Sequence, residues 1–391
     1  MKFLRTLSTT RLVALITLVV VVAGGSAALA VAASGGGGPT PPAKPLAQAV
    51  HDALGGAKPD GITADITFTN KLFPSGALVG AAGSALLSGA TGRLWITNDG
   101  RGRLELQSNA GDAQIVWNQS QVTAYDASSN TVYKFTLPAK TSSTPDGSGS
   151  DTPPALSDIT SLLDDLSKQA TVSGAQPDNV GTQPAYTVTI SPKHDGGLLG
   201  SAQLAFDAAN GVPLRVAIYA QGSSSPALAL EATHISYGAV DPKLVDIAPP
   251  AGAKVVDLSS AAKDQSGASG TDQKQTTGLA AVQAAVDFPL SAPDTLVGLP
   301  RKHVGLVGKS SALVVYGQGL GAIAVIERKA DAAASGGTMG ALPTISLNGV
   351  TAHELATQLG TVVEWKHGGT SFVLAGSLPP AAAEAAAREL K

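Results

Sequence analysis

The sequence predicts a mainly β chain (β+α), in which one large all-β or barrel-like domain carries a few helices and is followed by a smaller α+β domain. Three observations point there. Apolar and polar residues alternate at period 2 through a long series of short runs. Turn residues such as Asn98-Asp99-Gly100 and Asn109-Ala110-Gly111-Asp112 separate those runs. A stretch of Ser, Ala, Gln, Gly, Asp and Lys at 259–277, without apolar period, reads as a linker that divides the chain.

At the N-terminus Lys2, Arg5 and Arg11 precede residues 12–33, a span of 22 without a charge. At about 1.5 Å rise per residue the span just covers a bilayer core of roughly 30 Å, which suits a retained anchor. Its densest part, 12–23, is short, and Ala28-Leu29-Ala30 and Ala30-Val31-Ala32 fit the small-x-small rule of a signal-peptidase site. Residues 1–33 are therefore read as a signal peptide or an N-terminal membrane anchor. Both place the remainder outside the cytoplasm, secreted or held at the cytoplasmic membrane, because the leading positive charges stay inside. With no cysteine there is no disulfide framework, no Cys-based metal site and no lipobox cysteine, so any anchor is the span itself. A chain that is 43% hydrophobic with net charge −3 is too apolar for disorder and too balanced for a nucleic-acid binder. Charged residues, at 14%, give way to alanine and glycine, as in a GC-rich bacterial source.

Residues 34–45 (SGGGGPTPPAKP) read as a Gly/Pro linker. Leu46, Ala49, Val50, Ala53 and Leu54 then give one apolar helical face. In 61–70 the period changes to 2, with Ile62, Ala64, Ile66 and Phe68 alternating with Thr63, Asp65, Thr67 and Thr69. Runs at 93–97, 103–107, 113–117, 121–125 and 131–137 continue as an antiparallel meander. A polar tract at 140–154 leads to a helix at 156–169, marked by Ile159, Leu162, Leu163 and Leu166. Strands follow at 185–191, 202–206, 214–220 and 227–237, and DAANGVP at 207–213 supplies an Asn-Gly turn. This first domain spans 46–258. The second, 278–391, has strands near 312–318, 321–327, 362–367 and 370–375 and a closing helix at about 380–390.

No catalytic constellation emerges, and a non-enzymatic protein without cofactor or metal is expected. Gly317-Gln318-Gly319-Leu320-Gly321 is followed by a strand-like run instead of a helix, so it reads as a hairpin turn and not a dinucleotide loop. His353-Glu354 lacks the second histidine of a zincin helix, since position 357 is Thr357. The six histidines are scattered. Asp164 and Asp165 are helix neighbours whose side chains diverge, and no Gly-x-Ser-x-Gly elbow is present. Residues 72–87 (LFPSGALVGAAGSALL) stand out as an apolar connection where a polar one is normal. They read either as a core helix distorted by Gly80 and Gly83 or as a mobile flap presenting Leu72, Phe73, Leu78, Val79, Leu86 and Leu87. At about 25 cal/mol per Å² such a segment has to cover a core, a membrane or a ligand.

The order of these elements, with DAANGVPLRV, then LALEATHISYG, then DIAPPAGA at 246–253, resembles the LolA-like lipoprotein-carrier superfamily over residues 46–258. The shared pattern is an Asp-containing turn, a Pro-Leu-Arg strand, a last strand ending at Tyr-Gly and a Phe-x-x-Pro-x-Gly close, here with Ile247 in place of the aromatic. The resemblance implies a half-open, curved antiparallel β-barrel with plugging helices and acyl chains bound between. The lining then falls on the alternating apolar sets: Ile66 and Phe68, Leu94 and Ile96, Leu104 and Leu106, Ile115 and Trp117, Tyr133 and Phe135, Tyr186 and Val188, Leu228 and Leu230. The two-domain layout also resembles the RseB/MucB type of envelope-stress regulator, and the C-terminal piece looks like a small domain of unknown function from exported sigma-regulator proteins. Two expectations follow. One is a periplasmic or otherwise extracytoplasmic carrier or sensor whose partners are lipid or acylated lipoprotein and the membrane. The other is an interaction module of the anti-sigma pathway whose partner is a membrane-bound regulatory protein.

Overall fold

The computed structural model describes residues 38–72, 85–137, 154–168, 170–193, 197–257, 276–308, 310–330 and 342–390. The expected N-terminal span, residues 73–84 of the apolar segment, most of the 140–154 tract and residues 259–275 of the expected linker lie outside the described residues. Among the described residues no helix is long and apolar enough to cross a membrane. The chain divides into two compact units, Met1–Lys71 with Gly83–His194 and Gly200–Ser259, and Leu72–Ala82 with Asp195–Leu199 and Ser260–Lys391.

The first unit is mainly β, with a curled antiparallel half-barrel sheet and a few helices. In chain order it comprises α1 (Leu46–Leu54), β1 (Gly61–Asn70), α2 (Ala85–Ser88), β2 (Ala90–Thr97), β3 (Gly102–Ser108), β4 (Gly111–Trp117), β5 (Gln121–Asp126) and β6 (Thr131–Thr136). Then come α3 (Leu156–Ser167), β7 (Ala170–Val172), β8 (Gln176–Val180), β9 (Gln183–Pro192), β10 (Leu199–Asp207), β11 (Pro213–Ala220), β12 (Pro226–Tyr237) and β13 (Lys254–Asp257). The strand order is β13-β6-β5-β4-β3-β2-β1-β12-β11-β10-β9-β7, with β8 also paired to β9. The meander β1–β6 and the run β9–β12 are thus joined where the first strand pairs with the twelfth. At the far edge β13 is parallel to β6.

Every run with clean alternation is a strand, because one buried face selects one register. The strands that the pattern missed in this unit, β7, β8 and β13, are short or polar and pair at positions that other strands leave open. β8 (QPDNV) contains Pro, Asp and Asn, all poor strand formers, yet it closes a two-residue hairpin onto β9 through Gly181 and Thr182, both at positive φ. Here the template offered by β9 outweighs local preference.

The second unit contains α4 (Leu279–Ala285), β14 (Thr295–Leu296), β15 (Leu299–Val307), β16 (Ser311–Tyr316), β17 (Ile323–Lys329), β18 (Thr344–Leu347), β19 (Val350–Thr357), β20 (Gly360–His367), β21 (Thr370–Gly376) and α5 (Pro380–Glu389). Its eight strands run in the order β14-β15-β16-β17-β21-β20-β19-β18. Val314, Tyr316, Ile323, Val325, Trp365, Phe372 and Leu374 build its core with Ala383, Ala386 and Ala387 of α5. Trp365 and Phe372, register partners on β20 and β21, stack with centroids 4.9 Å apart. Gly317–Gly321 lies in the connection between antiparallel β16 and β17, and His353 and Glu354 stand on a strand. Thr277, at the end of the expected linker, bridges Gly305 of β15.

Candidate functional site

Register assembles the site. Tyr133, Ala124, Ile115, Leu104, Leu94, Ala64 and Ile235 are successive partners across β6, β5, β4, β3, β2, β1 and β12. Next to that row lie Phe135, Val122, Trp117, Gly102, Ile96, Ile62 and Tyr237. A third row joins Ala113, Leu106, Gly92, Ile66 and Ala232, and a fourth Ala90, Phe68, Leu230 and Val216. Residues two apart on a strand share a face, so these rows are one apolar surface. Leu228, two before Leu230, extends it opposite Asn70 and Ile218 and is half-buried.

Two glycines make the surface fit together. A Cβ on Gly102 would occupy the place of the Trp117 indole, and one on Gly92 would strike the Glu105 carbonyl oxygen. Glycine in a strand interior marks such close approaches.

Burial grades across the face. Ile66, Leu104, Leu106 and Leu230 are buried in one cluster, and Phe68, Leu94, Ile115 and Trp117 pack against it half-buried. Ile96 is also buried, whereas Tyr133 on β6 is exposed and Phe135 half-buried. The end of the apolar 72–87 segment closes the middle. Ala85 of α2 is fully buried, Leu86 packs on the cluster, its carbonyl accepts from Asn70 Nδ2 at 2.8 Å, and Leu87 is half-buried. Phe73, Leu78 and Val79 lie outside the described residues, and Leu72 falls in the second unit. Tyr186 and Val188 are not brought to this face. They share a separate cluster with Phe206 and with Ala49 and Ala53 of α1, because Ala185, which points the other way, takes the place in the inner cluster.

Between β1, β2, β11 and β12 the inner face retains a cavity of about 20 Å³, lined by Ile62, Ile66, Leu94, Ile96, Leu214 and Leu230 among others. That is room for about one water molecule. The Trp117 Nε1 donor is buried and has no hydrogen-bond partner among the described residues.

The polar residues of the DAANGVPLRV and LALEATHISYG segments have partners of their own. Asp207, in the DAANGVP turn, is buried and accepts from the Tyr237 hydroxyl at 2.6 Å and from the Ala209 and Asn210 amides. Burial, and then the Asp207 carboxylate, push the Tyr237 phenol up. Arg215 is buried between Asp178, at 2.8 Å, and Glu231, at 3.7 Å. Burial raises Glu231, against the pull of Arg215. The Asp turn, the Pro-Leu-Arg strand and the Tyr-Gly ending are thus bolts of the scaffold. Asp178 was invisible to sequence reasoning because it sits on the unforeseen β8. Among the described residues no group of three His, Cys, Asp or Glu side chains is placed to hold a metal ion.

No family model matches the chain, and no curated protein matches it. Among solved structures it is similar to the Pseudomonas aeruginosa MucA/MucB complex at 14% identity, covering 88% of this chain and 94% of that one with a TM-score of 0.36. It is similar to an uncharacterized conserved protein from Thermus thermophilus at 11% identity, covering 54% and 96%, with a TM-score of 0.32. A domain named as an outer membrane lipoprotein-sorting protein from Vibrio parahaemolyticus matches at 11% identity, covering 51% and 93%, with a TM-score of 0.21. These identities and TM-scores are low. The fold stands on the strand order and register above.

Proposed function

We propose that the protein is an extracytoplasmic lipid- or lipoprotein-binding carrier or sensor, non-enzymatic, whose ligand lies on the inner face of the first unit's sheet. The observation that carries this reading is the apolar surface of four register rows, two of which run from β6 to β12 without a charged residue while the other two extend it between β4 and β11. An ordinary core needs such a face as well. Two features favour a ligand. Among the described residues the face opens toward exposed Tyr133 and half-buried Phe135, and the Trp117 N–H is unpartnered, a donor suited to an ester or amide carbonyl at the head of an acyl chain. At roughly 0.8 kcal/mol per buried CH₂, one long chain offsets several kcal/mol spent in displacing α2 and ordering the ligand.

The reading is tested on the full chain with a fluorescent fatty acid and an acylated peptide. Saturable binding is expected, weakened at least about tenfold by Leu94→Asp and by Ile115→Asp in variants whose unfolding remains cooperative, and weakened less by Trp117→Phe, which removes only the donor. Absence of binding, or binding indifferent to both charges, rejects it. A second reading, an envelope-stress regulatory module of the RseB/MucB type, gains from the small size of that cavity, since a protein partner needs no interior volume. Binding of a membrane-bound regulatory protein without lipid would select it.

A further inference from the structure

The first unit carries an extended segment docked as a ligand would be. Residues 39–45 (PTPPAKP), expected as spacer, lie against β8 and β9. Asn179 Nδ2 on β8 donates to the Pro39 carbonyl at 2.9 Å, and the Tyr186 hydroxyl on β9 donates to the Pro42 carbonyl at 2.6 Å. Three residues make one turn of polyproline II, so these two carbonyls sit on one face of such a helix. Pro45, at φ −55° and ψ 142°, carries that extended conformation to the start of α1. Lys44 is fastened to Asp52 of α1 at 2.5 Å. Prolines present carbonyls and no N–H, and β8 and β9 meet them with side-chain donors and an aromatic ring, the chemistry by which proline-rich segments are recognised in general.

The strap takes up the donors without filling the site. Beside it opens a recess of about 350 Å³, walled by Pro41, Pro42, Pro184, Tyr186 and Tyr237, with Lys44, Gln183, Asp207 and Asn210 also in its lining. Asp207 is already satisfied by three donors and Lys44 by Asp52, so the proline and tyrosine walls suit an apolar group. Its volume lies in the range of small-molecule sites, about 300–1,000 Å³.

We propose that the β8–β9 groove is a recognition site for an extended proline-rich peptide, occupied in cis by residues 39–45 and open to exchange with a proline-rich segment of a partner protein that places an apolar side chain in the recess. The inference is independent of the lipid reading. The tether keeps the strap at an effective concentration in the millimolar range, so a peptide in trans competes poorly with it and binds well once it is released.

The test uses the full chain, unaltered and with Pro39→Gly, Pro41→Gly and Pro42→Gly combined, and a fluorescent PTPPAKP peptide. The released variant should bind the peptide saturably and at least about tenfold more tightly than the unaltered chain. Adding Tyr186→Phe and Asn179→Ala should remove that gain, and a peptide with glycine in place of its prolines should not bind. In the unaltered chain, excess peptide should speed acylation of the Lys44 amine, freed from Asp52, by an amine-reactive ester in large excess, a readout that holds if the triple variant folds poorly. Equal binding by both chains, binding indifferent to Tyr186 and Asn179, or an unchanged rate of Lys44 acylation overturns the proposal.

Discussion

At the scale of single residues, two buried carboxylates show opposite solutions to the same problem. Asp207 is met by a phenol and two backbone amides. Glu327 lies fully buried on the core face of β17, with Oε2 accepting from the Ser291 amide at 2.8 Å and Oε1 without a partner among the described residues. The neighbouring Tyr316 hydroxyl is also unpartnered among them and is raised by its own burial first and by Glu327 second. Burial pushes Glu327 up from 4.5 to about 7, against the Ser291 hydrogen bond. An acid with a raised folded pKa contributes stability that is complete below its unfolded value and is lost as the pH rises through the folded one. The second unit should therefore lose about 3 kcal/mol between pH 4.5 and pH 8 from this residue alone. Urea midpoints followed across that range would show it, and Glu327→Gln, which cannot ionise, should flatten the slope. An unchanged slope in that variant would assign the pH dependence elsewhere.

At the scale of elements, the half-barrel depends on places where side chains are missing. Gly92 stands between Leu106 and Ile66 in the third row, and its α-carbon faces the Glu105 carbonyl so closely that β2 and β3 have to separate to admit a methyl group. Gly92→Ala is expected to destabilise the first unit by about 1–3 kcal/mol, the usual cost of overpacking. A urea midpoint equal to that of the unaltered chain would show that the strands part freely. Hairpins show the same dependence on local geometry. Asn348 and Gly349 between β18 and β19, and Gly368 and Gly369 between β20 and β21, all have positive φ, the requirement of the two-residue turn that matches strand twist.

At the scale of the whole molecule, the two units have separate cores, one built on the thirteen-stranded sheet and one on the eight-stranded sheet. Each buries its own apolar cluster, so each should melt as its own cooperative transition. Calorimetry of the full chain at neutral pH is expected to resolve two transitions, with Gly92→Ala lowering one and Glu327→Gln displacing the other. A single transition moved by both substitutions would mean that the units fold as one.

The sequence by itself determined what periodicity encodes. Alternation in 61–70 and in the runs that follow dictated strands, the face opposite the threonines dictated which side is buried, and spacing of Leu46, Ala49, Val50 and Ala53 dictated α1. From those sets the expected lining residues on β1–β4 and β6, with Leu230 on β12, fall on the register rows of one face, and Leu228 extends it. Only tertiary structure decided the rest. β8 and the proline strap acquire form from the neighbours that bind them, since their own residues favour turns or extended chain, and β13, only four residues long, is fixed by its pairing with β6. Tyr186 and Val188 share the alternation of the other strands yet face α1, because period 2 states that two faces differ and not which of them a distant helix will cover.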